Sequence, residues 1–107
     1  MWMPEINIGK ISDFSVGTMK KIEIKNKGIL IANIDGKLYA IGDVCTHEEC
    51  SLSDGMLQKN IVICPCHNAQ FDLKTGKNIE KPFTGEDIED EPSYQIKIKN
   101  NEVFIVI

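Results

Sequence analysis

All four cysteines and both histidines of this chain fall between residues 45 and 67, and no other feature limits its fold and chemistry as much. They form two clusters, Cys45-Thr46-His47 and Cys64-Pro65-Cys66-His67, separated by residues 48–63. Each cluster supplies one cysteine and one histidine of the pattern C-x-H … C-x-x-H, through Cys45, His47, Cys64 and His67. Thiolate and imidazole both suit borderline and soft transition metals. Two loops carrying one such pair each can therefore present two sulfurs and two nitrogens to a common point. A binuclear iron cluster accepts this inventory, with two thiolates on one iron and two imidazoles on the other. A single zinc ion accepts it as a tetrahedral array, although zinc fingers usually pair like ligands and each pair here is mixed.

The segments around the clusters read as β-structure. Apolar residues alternate over residues 19–24, and residues 28–34 form a near-continuous run containing Ile29, Ile31 and Ile34. Asp35-Gly36 follows, a two-residue hairpin turn whose positions tolerate positive φ, and residues 38–41 return. Residues 60–63 read as a strand running into Cys64. Tyr94, Ile96 and Ile98 alternate with polar residues, Asn100-Asn101 turns the chain, and residues 103–107 return. The apolar spacing is two rather than 3.6, so no amphipathic helix is expected. The fold class is therefore all-β, with antiparallel hairpins at both ends and a less regular stretch between them. That arrangement suggests loops carrying chemistry on a rigid sheet scaffold. Residues 77–91 form a polar, acidic connection with Pro82 within it and Pro92 directly after it, long enough to be either functional or mobile.

At 107 residues the chain is the size of one domain. Its net charge is −4 and all twelve basic residues are lysine. The dense charge run is acidic, Glu86, Asp87, Glu89, Asp90 and Glu91. Nucleic acid is not expected as a partner, since binding it needs a clustered basic face. The acidic run reads as a solvated loop or as a docking patch for a basic redox partner. No apolar stretch approaches the length of a membrane-spanning helix, and residues 1–9 lack the pattern of a secretory signal. A soluble, cytoplasmic protein with no membrane association is expected, and four cysteines there point to metal or redox chemistry before a disulfide scaffold.

The two clusters and their interval resemble the binding loops of the Rieske iron–sulfur family. The likeness extends past them. Ser51-Leu52-Ser53-Asp54-Gly55 is similar to the segment that closes the first loop in Rieske ferredoxins. Ala69-Gln70-Phe71-Asp72 and Thr75-Gly76 are similar to the stretch after the second loop, Leu38-Tyr39-Ala40-Ile41 fits the family's lead-in, and Pro82 fits a third, proline-containing loop. The resemblance implies one Rieske domain over residues 1–107, with a loop-built cluster-binding subdomain at about residues 43–73 inserted in a base of antiparallel sheets. It implies one 2Fe–2S cluster per chain, with Cys45 and Cys64 on the inner iron and His47 and His67 on the outer one.

Cys50 and Cys66 are not needed as ligands. They stand where the high-potential members of the family carry a disulfide between the loops, so the resemblance implies the same pairing here, with two reduced thiols as the alternative. In those members a serine and a tyrosine follow the second histidine and donate hydrogen bonds to the cluster's sulfurs. Here Ala69 and Phe71 stand at those positions, without hydroxyls, and Asn68 replaces a glycine in a turn that asparagine tolerates.

The resemblance thus implies a soluble, monomeric one-electron carrier between a reductase and an oxygenase or other acceptor, with no catalytic residues of its own. The alternatives are a small Rieske subunit of a larger oxidoreductase such as a nitrite reductase and, from another class, a zinc-binding structural or interaction module. Trp2 and Phe83 are apolar residues that the strand pattern leaves unplaced.

Overall fold

The computed structural model describes residues 3–46 and 50–107. Its strands are β1 Glu5–Lys10, β2 Met19–Ile24, β3 Lys27–Ile34, β4 Lys37–Gly42, β5 Met56–Gln58, β6 Ile61–Ile63, β7 Gln70–Asp72, β8 Asn78–Glu80, β9 Ser93–Lys99 and β10 Glu102–Val106. Two 3-10 turns, Ile11–Asp13 and Leu52–Asp54, are the helical segments among the described residues. All pairings are antiparallel. One sheet has the order β1-β10-β9-β4-β3-β2 and the other β5-β6-β7-β8.

The apolar run of residues 28–34 is explained by its place in the sheet. β3 is a central strand between β2 and β4, and both of its faces are covered. Its side chains alternate between two cores, as a period of two requires. Ile29 and Ile31 join Phe14, Leu38, Ala40, Val103 and Ile105 on one side. Leu30 and Ala32, with Ile41 of β4, join Leu52, Val62, Ala69, Phe71, Leu73 and the two cysteines Cys45 and Cys64 on the other. The long sheet thus builds its own core on one face and seats the four-stranded sheet on the other.

The turns follow from residue type. Asp35 and Gly36 have φ of 54° and 92°, as the β3–β4 hairpin requires. Asn100 and Asn101, at 50° and 67°, make the β9–β10 turn, and Lys25-Asn26 makes a β2–β3 turn that the sequence pattern had not singled out. β1 was also missed. It pairs with β10 through a register shift between Asn7 and Gly9, which interrupts the alternation begun by Ile6 and Ile8.

Two glycines are required by close approach. A Cβ on Gly55 would overlap the carbonyl oxygen of Ile63, where the first loop closes onto β6 one residue before Cys64. A Cβ on Gly76, whose φ is +81°, would overlap the carbonyl oxygen of Glu91. Gly36 has a positive φ but open space around it, which separates the two effects. Gly36→Ala is expected to cost about 1–2 kcal/mol, the left-handed penalty alone. Gly76→Ala should cost roughly 1–3 kcal/mol more through overpacking, and denaturant midpoints of the two variants would show the difference.

Candidate metal centre

The first loop leaves β4 at Gly42 and is held at its root by Asp43. The Asp43 N–H donates to the Gly28 carbonyl at 3.0 Å, its carbonyl accepts from Leu52 N at 2.7 Å, and its Oδ1 accepts from Ser53 N at 2.8 Å. This carboxylate is fully buried, with the Lys21 ammonium 3.9 Å from Oδ2. The loop then closes on itself. Val44 bridges Ser51, and the Cys45 N–H donates to the Cys50 carbonyl at 2.9 Å. Cys45 is thereby turned into the apolar core with 3% of its surface exposed.

The second loop leaves β6 at Ile63. Cys64 N donates to Ala69 O at 2.8 Å and Asn68 N to Cys64 O at 3.2 Å, closing a tight turn. Asn68 takes φ of 60°, the left-handed conformation expected of a residue standing in for glycine. Cys64 is 1% exposed and shares the apolar cluster of Cys45. His67 is half-buried, with its Nδ1 shielded from solvent. Cys50 and Cys66 form a disulfide between the loops, with a Cα–Cα distance of 6.5 Å; Cys45 and Cys64 are not part of it.

A third loop, residues 81–92, runs along both. Phe83 N donates to the His67 carbonyl at 2.8 Å, and Thr46 Oγ1 donates to the Glu89 carbonyl at 2.6 Å. Pro82 is buried, consistent with a covering loop. Only part of the acidic connection is irregular, since β8 lies within it. One of its five acidic residues also turns out not to be a surface charge. Glu91 is 5% exposed, because its N–H donates to Gly76 O at 2.7 Å and its side chain turns inward to accept the Thr46 backbone N–H. Burial pushes its carboxyl up to about 7, and the nearby Asp43 adds to the rise, while the hydrogen bond from Thr46 opposes it.

Three of the four expected ligands are therefore described. Cys45 and Cys64 are brought into one apolar cluster and His67 turns Nδ1 inward, while His47 lies outside the described residues. Among the described residues, no three His, Cys, Asp or Glu side chains close on a single metal ion. Two buried thiols on adjacent, cross-linked loops and an inward imidazole nitrogen fit the donor set of a His/Cys-ligated binuclear cluster. Asp43 and Glu91 are the functional positions that the sequence reading missed. Their charged types suggest surface positions, while the backbone bonds of Asp43 to Gly28 and of Glu91 to Gly76 place them inward.

Comparison with known proteins agrees with this geometry. The model of the Rieske [2Fe-2S] domain matches residues 4–102. A ferredoxin component of naphthalene 1,2-dioxygenase/salicylate 5-hydroxylase systems from Ralstonia sp is 31% identical over 100 residues, covering 94% of this chain and 92% of that one. Sulredoxin from Sulfurisphaera tokodaii is 40% identical over 83 residues, 74% of this chain and 76% of its own. A chain from the solved complex of reduced oxygenase and oxidised ferredoxin in carbazole 1,9a-dioxygenase shares the fold, with a TM-score of 0.85 at 23% identity over 95% of this chain and 92% of that one.

Two outcomes are expected. Replacing both Cys50 and Cys66 by serine opens a loop of sequence separation 16. In the chain-entropy treatment this removes about 3 kcal/mol of stability, to be read from denaturant unfolding. Glu91 in the folded protein holds its proton more tightly than in the unfolded chain. Its stabilising effect is thus fully present below about pH 4.5 and lost as pH rises through about 7. Glu91→Gln should flatten this part of the pH dependence of the melting temperature.

Proposed function

The chain belongs to the Rieske [2Fe-2S] domain family, and from that premise we propose that it is the ferredoxin, a one-electron carrier, of a multicomponent oxygenase system. The observation that carries the reading is the pair of buried cysteines, Cys45 and Cys64, on two loops bridged by Cys50 and Cys66. The Ralstonia relative, a ferredoxin component, supports it, and so does a structural neighbour solved together with its oxygenase. The chain is a redox component and not itself the catalyst. Donation by a reductase, a monomeric state and a cytoplasmic location belong to the same proposal. Among the described residues no helix is long and apolar enough to cross a membrane.

In this reading residues 43–73 form the cluster-binding unit. Cys45 and Cys64 hold one iron, and His47 and His67 hold the other. The bound 2Fe–2S cluster supplies a one-electron couple whose potential is raised by neutral imidazole in place of thiolate. The chain's own residues do the rest. Leu52, Val62 and Leu73 keep water from the two thiolates, the disulfide and the bonds from Thr46 and Phe83 hold the loops in register, and His67 lies toward the surface for a partner's approach.

Ala69 and Phe71 are both fully buried in the cluster of Cys45 and Cys64, so neither position offers a hydroxyl donor to stabilise the more negative reduced state. The reduction potential is expected in the lower half of the range of about −150 to +300 mV. Potentiometric titration checks this, and a value near the top would contradict the role given to the missing donors. The function itself is tested by visible absorption and low-temperature EPR of the purified protein before and after dithionite. A red-brown protein that gains a paramagnetic signal on one-electron reduction is expected. A colourless protein with stoichiometric zinc would overturn the proposal.

A further inference from the structure

Phe83 is 79% exposed, more than any other large apolar side chain among the described residues, with Met56 at 68% and Val16 at 66% next. A phenyl ring left in water adds nothing to folding, yet the backbone that carries this one is fixed by hydrogen bonds. Gly85 N donates to Pro82 O at 2.8 Å, closing a four-residue turn with Phe83 at its first corner, and Pro82 is buried beneath. The Phe83 N–H is tied to the His67 carbonyl. An ion pair of 2.9 Å between Lys81 and Asp87 spans the base of the loop. An aromatic side chain on a preorganised turn is the kind of group that anchors protein interfaces, because little ordering entropy remains to be lost on docking.

The charge around it specifies the occupant. Glu80, Glu86, Asp87, Glu89 and Asp90 are exposed along the same segment, and Lys81, the one basic residue among them, is engaged by Asp87. We propose that Phe83 and this acidic rim form the recognition surface for the redox partner, a protein presenting an apolar recess edged with lysine or arginine. The proposal rests on the electron-carrier reading and names the partner chemistry for that site. The anchor is bonded through its backbone to the loop residue His67, so a partner seated on it is guided toward the edge from which an electron leaves. The acidic rim sets the long-range attraction and the rate of encounter, and Phe83 sets the lifetime of the complex.

Stopped-flow oxidation of the dithionite-reduced full chain tests this, with the basic haem protein cytochrome c as the macromolecular acceptor and ferricyanide as the small anionic one. One electron passes from the reduced protein to the ferric acceptor, and no bond or proton is transferred. The second-order rate with cytochrome c should fall steeply with added salt. It should drop about tenfold in Phe83→Ala, equivalent to about 1.4 kcal/mol, and again in the double variant Glu80→Lys/Glu89→Lys. Phe83→Ala keeps the backbone N–H that bonds the His67 carbonyl, so its reduction potential, EPR signal and ferricyanide rate should match the unaltered protein. A cytochrome c rate indifferent to salt, or equal in Phe83→Ala, would overturn the docking surface while leaving the electron carrier intact. A chain with no reducible chromophore would overturn both.

Discussion

The structure depends on β3 being buried on both faces. A strand so placed has no polar face to present to water, which is why residues 28–34 lose the alternation that β2 keeps. Its even and odd positions serve different cores. Ile29 and Ile31 weld the long sheet into a stable base, while Leu30 and Ala32 form the floor on which Cys45, Cys64 and the short strands rest. The four-stranded sheet has strands of only three residues, too short to be stable alone. It is ordered by the apolar surface beneath it and by the crosslink above it, and the site inherits its rigidity from both.

Two buried carboxylates complete that support. Burying a carboxylate is unfavourable unless its charge is met by hydrogen bonds, a cation or a proton. Asp43 meets the cost with the Ser53 N–H and the nearby Lys21, and Glu91 with the Thr46 N–H and a readily retained proton. Each fixes a different side of the first loop, Asp43 its root and exit and Glu91 the residue directly after Cys45. The glycines at 55 and 76 belong to the same construction, because each lets a second backbone come within contact of a ligand loop or of its strap. The motif residues around the cysteines are thus largely devices for bringing three loops together.

Much of this was legible from the residues. Alternation gave β2 and β9, continuous apolar character gave β3, and Asp35-Gly36 and Asn100-Asn101 marked their hairpins. The spacing of Cys45, His47, Cys64 and His67, together with the flanking motifs, identified the family. What escaped is physically distinct. β5, β7 and β8 are three residues long, too short for a period of two to be recognised, and unlike Ile61–Ile63 none is a run of β-branched residues. β1 is broken by its register shift at Gly9. Glu91 was grouped with its acidic neighbours because local sequence does not tell which member of a charge run turns inward. That depends on the bond from its N–H to Gly76, fifteen residues away. Phe83 posed the converse difficulty, an aromatic residue that apolarity alone would assign to a core.

In the proposed site two thiolates and two imidazoles from the bridged loops would hold two unlike irons. Mössbauer spectroscopy of protein reconstituted with iron-57 tests it most directly. Two quadrupole doublets of equal area are expected in the oxidised protein, one for a sulfur-only iron and one for an iron with nitrogen ligands, with reduction confined to the second. A single doublet for two equivalent irons, or a protein that takes up zinc and no iron, would contradict it.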